Sequence, residues 1–426
     1  MSSPPRVIRQ PRPQSAQRSG DRPQSAQADE DSRGSSARIS LGRVFRAEGS
    51  NYFLLLGTAL FLVVFGLVMV LSSSSVDSLV GDQGSFGGFL RQGIFAIVGI
   101  PLMLIVSRFP IAFWKRFAFP MLAISSFLQF LVVVTPLGIT VGGNTNWLAI
   151  GPVQFQPSEG IKVALVIWLG LIVSRKQDVL DDWRRGFLPI LLIGGAAIGL
   201  VLLGGDLGTV MIMAAILIGA MFFAGIRLRM LAVPLVGGAA VFGVVAIASP
   251  NRLQRITAFL GDTCDDYVNS CWQTQHGNYA LANGGIFGVG LGGSKAKWSW
   301  LPAADNDFIF AIIGEELGLI GAIVVLALFV LLAFAFIRIM RASDDMFARV
   351  TTAAVMVWVI GQACVNIGVV LGVFPVLGVP LPLISAGGTA LLTTLLAIGV
   401  VLSFARTAQA EQRSDPSLGR SGRHPR

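Results

Sequence analysis

Histidine is nearly missing from this chain, with two in 426 residues, and cysteine is almost as scarce at three. No spacing of the two resembles a zinc site, so a structural or catalytic zinc centre is not expected. His424 belongs to the C-terminal tail, and His276 reads as a hydrogen-bonding loop residue. Cys364 falls in an apolar run and is expected to pack as a small hydrophobe. Cys264 and Cys271 fall in a polar stretch, where an oxidising compartment would permit a short disulfide. Charge is also in short supply. Only 13% of residues are Asp, Glu, Lys or Arg, 54% are hydrophobic and mean hydropathy is +0.72, a balance that excludes an ordinary soluble domain.

What is abundant is apolar sequence in long runs. A bilayer core about 30 Å thick takes about 20 residues of helix. Ten runs of roughly that length occur, at about 52 to 72, 88 to 107, 116 to 136, 158 to 174, 187 to 204, 207 to 224, 229 to 249, 308 to 337, 347 to 374 and 384 to 405. The expectation is an all-α polytopic membrane protein with ten transmembrane helices. Lys and Arg in short loops stay cytoplasmic. Arg43, Arg46, Arg108, Lys115, Arg116, Arg175, Lys176, Arg184, Arg185, Arg227, Arg229, Arg338, Arg341, Arg349 and Arg406 all sort to one side. Both termini are then cytoplasmic, and the long loop from 250 to 307, between helices seven and eight, lies outside.

A net charge of +9 suggests nucleic acid at first sight, but much of the excess sits in the tails and inner loops, which topology explains without nucleic acid. Residues 1 to 50 repeat Arg-Pro-Gln-Ser-Ala-Gln at 12 to 17 and 22 to 27 and lack apolar content, so they are expected to be a disordered cytoplasmic tail. Such a tail either touches anionic lipid or a cytoplasmic partner, or is simply solvated. Residues 51 to 406 form the membrane domain, and 407 to 426 a second disordered tail. No cleavable signal peptide is expected, because the first apolar run begins late and is long enough to span.

Three outer segments resist interpretation as plain spans. Residues 142 to 159 read as a turn-rich loop in which Trp147 suits an interface, leading into a helix whose Glu159 and Lys162, three apart, can pair on one face. The 250 to 307 loop carries Arg252, Arg255, Lys295 and Lys297 around a run of glycines from Gly284 to Gly293. Cations and a flexible backbone can hold a phosphorylated ligand, and the arginines can equally snorkel to headgroups. The glycines have neither Walker nor dinucleotide spacing. The third segment, Asp305-Asn306-Asp307, precedes an apolar helix containing Glu315 and Glu316. Asp307 is either an N-cap or a functional carboxylate, and Asp206, before Leu207-Gly208-Thr209, invites the same capping reading.

Together these pieces resemble the SEDS family of ten-helix cell-wall glycan polymerases over roughly residues 50 to 406. The most specific stretch is Gly290-Leu291-Gly292-Gly293-Ser294, Lys297, Leu301-Pro302, Asp307-Phe308-Ile309-Phe310-Ala311 and Glu315-Glu316-Leu317-Gly318. Gln156-Pro157-Ser158-Glu159 with Lys162, Asp206-Leu207-Gly208-Thr209, Gln362, Asn366 and the 372 to 388 segment containing Ser385 add to the likeness. Ala303, Asp305 and Asn306 stand where the family usually has Glu, His and Thr, Asn146 stands for an Arg, and Gly205 for a Pro.

The resemblance implies polymerisation of lipid II into β-1,4-linked glycan at the outer face of the bacterial cytoplasmic membrane, with an undecaprenyl diphosphate leaving group. The division-type branch is favoured over the elongation-type. By the same resemblance Asp307 is the general base, Arg252, Arg255 and Lys297 face the diphosphate, Glu159 and Lys162 shape the cavity, and Ser385 lies in the last outer loop at the substrate site. A Mg²⁺ or Mn²⁺ ion is compatible with such a site, although the sequence does not demand one. The implied partner is a class B penicillin-binding protein of the division complex, at the septum. The competing readings are a lipid flippase or transporter, since helices interrupted by Gly and Pro also describe transporters, and a membrane scaffold.

Overall fold

The computed structural model describes residues 49 to 80, 86 to 141, 144 to 150, 153 to 248, 253, 255 to 257, 259, 272 to 298 and 300 to 414. The N-terminal tail as far as residue 48, Arg252, Cys264, Cys271 and residues from 415 onward lie outside the described residues.

Each apolar run of the sequence is a helix. They are α1 (Ser50–Val80), α2 (Gly87–Val106), α3 (Ile111–Val134), α4 (Pro157–Arg175), α5 (Leu188–Leu203), α6 (Leu207–Phe223) and α7 (Leu228–Ala248), followed by a short α8 (Trp272–Gly284), then α9 (Ile309–Ala342), α10 (Met346–Val370) and α11 (Gly388–Ser414). Among the described residues nine helices are long and apolar enough to cross a membrane, and α6, with 17 residues, is a shorter apolar helix. That length sits at the lower limit of about 17 to 25 residues for a span. The chain is a multi-pass membrane protein.

Packing follows composition. Helix α4 is apolar apart from the polar residues near its two ends, and nearly all its residues are buried, as expected of a helix at the centre of a bundle. Helix α7 has the same character but buries only Leu231 and Ala246, leaving Val236, Val244 and Ile247 at least two-thirds exposed. Exposed aliphatics of this kind suit lipid.

The basic loops meet at one end of the bundle. Lys115, near the start of α3, pairs with Asp345 in the α9–α10 turn at 2.6 Å, and Arg227, before α7, pairs with Asp181 after α4 at 3.0 Å. The opposite end carries the irregular segments, and the structure departs from expectation in three places, the first two of them at that end. The first is around residues 142 to 159, expected as a turn-rich loop leading into a helix, where strands run from 138 to 155 ahead of the helix. They form a three-stranded antiparallel sheet, β1 (Gly138–Val141), β2 (Asn144–Ile150) and β3 (Val153–Phe155), so the chain is mostly rather than wholly helical. The sheet is seated by Asn146, which is buried and accepts from Gln129 Nε2 at 3.0 Å.

The second departure is a break in α9. Gly318 has φ 68° and ψ −165°, well outside the helical region. The carbonyls of Glu315 and Glu316, freed by the break, accept from the amides of Val289 and Gly290, each at 3.0 Å, while Leu319 and Ile320 donate back to the carbonyls of Gly285 and Ile286. The glycine-rich run is therefore consumed in mending a helix. A Cβ on Gly288 would lie 2.2 Å from the Glu316 carbonyl oxygen, so the two backbones meet where no side chain fits. Third, α11 continues to Ser414, beyond the boundary expected at 406.

Candidate active site

Asp307 lies at the end of a chain of turns, residues 301 to 308, that enters α9. The N-cap of α9 is Phe308 and no side chain caps it, so Asp307 is not the capping residue that its position suggests. Three successive carbonyls fix this segment from outside. The Ala386 amide donates to the Asp305 oxygen at 2.9 Å, Ser385 Oγ to Asn306 at 2.6 Å, and Asn366 Nδ2 to Asp307 at 2.8 Å. The segment's backbone cannot turn without breaking all three.

With its backbone held, the Asp307 side chain is left free. Its Oδ1 is buried with no hydrogen-bond partner, and Oδ2 would be 3.6 Å from a Cβ on Gly378. Loss of hydration pushes the carboxyl up to about 6, against the opposing pull of the Arg255 guanidinium and with smaller upward contributions from Asp206 and Asp305. Arg255 is exposed and reaches the Val376 carbonyl at 3.4 Å. Asp206, by contrast, is a cap. It accepts the Thr209 amide at 2.9 Å and the Thr209 hydroxyl at 2.8 Å, and Gln156 Nε2 donates to it at 3.0 Å. Burial still raises its carboxyl above the usual carboxylate range.

Behind the Asp307 segment runs a continuous polar relay. Glu159 and Lys162 are both almost fully buried and pair at 2.7 Å, and Thr393 Oγ1 donates to the same carboxylate at 3.1 Å. Lys162 Nζ, 4.8 Å from the centre of the Trp358 ring, also donates to Gln362 Oε1 at 3.2 Å. Gln362 in turn donates to the Pro380 carbonyl, and Asn366 spans Val379 and Asp307, each bond 2.8 Å long. Glu159 and Lys162 are thus tied to the 379 to 380 loop through Gln362.

Lys297 and Ser385 were expected to contact substrate, and their hydrogen-bonding groups are used internally instead. Lys297 is 5% exposed and its ammonium lies 2.7 Å from the Gly292 carbonyl, 3.3 Å from Glu316 and 3.4 Å from Ser72 Oγ, which leaves no proton for a diphosphate. Glu315 has a parallel role, accepting from Asn283, Ser294 and the amides of Lys295 and Ala296. Ser385 Oγ gives its one hydrogen to Asn306 and accepts from the Leu381 amide at 2.8 Å. Cys364, expected in the packing, is exposed on α10. Among the described residues no group of three His, Cys, Asp or Glu side chains is assembled to hold a metal.

Sequence reasoning missed Gln92, whose amide bridges the Ser385 carbonyl and the Gly387 amide at 3.0 Å each, as well as Trp358 and Thr393. Their only signal was that each is a polar or amphipathic residue inside an apolar run, which usually marks an inward-facing position.

Comparison with known proteins is consistent along most of the chain. The family of cell cycle proteins that groups FtsW, RodA and SpoVE matches residues 52 to 410. A probable peptidoglycan glycosyltransferase FtsW of Mycobacterium tuberculosis is 37% identical over 84% of this chain and 68% of its own length. The FtsW of Trichlorobacter lovleyi is 38% identical over 80% and 90%, and the stage V sporulation protein E of Bacillus subtilis 35% over 83% and 96%. A chain from a structure described as a peptidoglycan synthase complex coordinating polymerization and crosslinking superposes with a TM-score of 0.68, at 26% identity over 83% of this chain and 96% of that one. Thermus thermophilus RodA shares the fold, with a TM-score of 0.63, 24% identity and coverage of 83% and 96%. On the strength of this match across 52 to 410, the chain belongs to the FtsW, RodA and SpoVE family of cell cycle proteins.

Proposed function

We propose that this protein is a division-type peptidoglycan glycosyltransferase that polymerises lipid II at the outer face of the bacterial cytoplasmic membrane, with Asp307 as general base. The relatives named peptidoglycan glycosyltransferase support the reaction class. The observation that carries the assignment of Asp307 is its buried, unpartnered Oδ1 on a segment clamped at three carbonyls.

The chemistry needs little else. The acceptor is the 4-hydroxyl of one sugar and the electrophile is the anomeric carbon of another, whose leaving group is undecaprenyl diphosphate. An α-linked donor giving a β-1,4 bond is inverted once, so a single carboxylate suffices to take the hydroxyl proton as the new C–O bond forms and the anomeric C–O bond to the diphosphate breaks. A base whose pKa is near 6 is ionised at neutral pH yet basic enough to share a proton in the transition state. The departing diphosphate carries negative charge, and Arg255 and Arg252 are the candidates to balance it. The partner in this reading is a class B penicillin-binding protein that crosslinks the strands at the septum.

The test is direct. Purified full-length protein is given lipid II with and without the transpeptidase and with Mg²⁺, Mn²⁺ or a chelator. Products are run on a gel, and translocation of a fluorescent lipid is followed in parallel. Glycan ladders are expected. Lipid transport with no glycan would overturn the proposal.

A further inference from the structure

Helix α8 and the segment that follows it enclose a second concavity, away from the clamp on Asp307. Its volume is about 400 Å³, and His276, Tyr279, Asn283, Lys295, Trp300 and Glu315 line it. Three rings here are close to parallel. Trp272 stacks on His276 with 4.0 Å between centroids and 24° between planes, and Trp300 stands 6.2 Å and 6.0 Å from the two, inclined by 11° and 15°. Their orientations are held, because Trp272 Nε1 donates to the Trp300 carbonyl and His276 Nδ1 lies 3.0 Å from the Trp272 carbonyl. Trp300 and Tyr279 are more than half exposed. At the floor, Glu315 is saturated by its own contacts and serves as shape, whereas the Lys295 side chain is exposed at the rim.

Pyranose rings present a face of C–H bonds that packs on flat aromatic rings, while their hydroxyl and acetamido groups bond to polar neighbours. A rigid, open aromatic wall beside a cation and an imidazole, in a cavity of this size, suits that chemistry. The pocket is also fastened to the segment that carries the catalytic carboxylate. Gln273 Nε2 reaches the Pro302 carbonyl at 3.4 Å, and a Cβ on Gly277 would lie 3.0 Å from the Phe308 ring.

We propose that this pocket is a saccharide subsite that holds the already formed part of the glycan strand while Asp307 adds the next unit. The proposal rests on the polymerase reading above. It distinguishes two tryptophans that composition alone would treat alike. Trp300 lines the pocket, whereas Trp298, 62% exposed and two residues away, does not and suits an interfacial anchor.

Two measurements on the full-length protein test it. In the first, glycan length per lipid II consumed is read for wild type, Trp300→Ala, Trp300→Phe and Trp298→Ala. In the second, a peptide-free tetramer of β-1,4-linked N-acetylglucosamine is titrated against tryptophan fluorescence, with Lys295→Ala added as an exposed variant that tolerates folding. Trp300→Ala is expected to shorten strands severalfold, Trp300→Phe to restore them, and Trp298→Ala to match wild type. Tetramer binding is expected to weaken roughly three- to tenfold in Trp300→Ala, with a smaller loss in Lys295→Ala. Wild-type strand length in Trp300→Ala, equal shortening in Trp298→Ala, or no quenching by the tetramer would each overturn the subsite. Failure of wild type to polymerise would sink the polymerase reading instead, and the tetramer titration would still decide the pocket.

Discussion

A carboxylate with one oxygen buried and unpaired is costly to keep ionised, and that cost is the functional statement made by Asp307. Replacing it with Asn removes the proposed base while preserving shape, so Asp307→Asn is expected to slow lipid II consumption by a factor of about 10² to 10⁴. A variant polymerising at the wild-type rate would contradict the role. Its pKa of about 6 against an ordinary 3.8 also predicts how stability responds to pH. Between those two values the folded protein holds a proton that the unfolded chain has released, so this residue's contribution to stability falls as pH rises through that window and is fully lost above about 6. Asp307→Asn escapes the penalty. It should therefore melt at a higher temperature than wild type at pH 8, with the gap closing toward pH 4, as thermal unfolding in detergent would show. Asp307 was visible in the sequence as an acid at an apolar boundary, but cap and base look identical there. The position of Phe308 as N-cap removes the capping reading, which leaves the proposed role as base. Ser385 and Lys297 illustrate the same ambiguity with the opposite outcome, since a polar side chain in an outer loop looks the same whether it meets substrate or a carbonyl of its own chain.

At the scale of elements, the break in α9 matters most. The sequence shows an apolar run without proline, interrupted by Glu315 and Glu316 and by three glycines, and nothing in it singles out Gly318, whose φ of 68° only the tertiary neighbours require. An added Cβ there would lie 2.4 Å from the Gly288 amide nitrogen and the Ile286 carbonyl oxygen. Gly318→Ala is expected to cost about 3 kcal/mol or more from left-handed strain and overlap together. Its yield in membranes and its unfolding temperature should both drop. A variant as stable as wild type would mean that the 285 to 290 loop can move aside. The sheet from β1 to β3 was equally hard to foresee. Its strands are three to seven residues long, too short for their alternation to stand out from a loop.

Across the whole molecule, the Glu159–Lys162 pair joins three helices, reaching Thr393 on α11 and Gln362 on α10 from α4. Buried pairs of this kind cost little to replace together and much to split. Lys162→Met is expected to destabilise by about 3 to 5 kcal/mol by stranding Glu159, while the double variant Glu159→Gln with Lys162→Met recovers most of the loss. Denaturation of the purified variants would show it, and a double variant no better than the single would refute the coupling. Of the pairs at the basic end of the bundle, Arg227–Asp181 is solvent-exposed and Lys115–Asp345 partly so, and each is worth at most about 1 kcal/mol.

The sequence alone determined that the chain lives in a membrane, where its apolar helices run and which loops are basic, because hydropathy over about 20 residues is a local property. Tertiary structure decided which polar groups meet. Ser72 reaches Glu316 across 244 positions and Gln92 reaches Ser385 across 293, separations over which no local pattern constrains pairing. A buried polar group usually finds a partner, and only the closed fold shows which ones did, leaving Asn306 Oδ1 and Asp307 Oδ1 as oxygens at the clamped turn that found none.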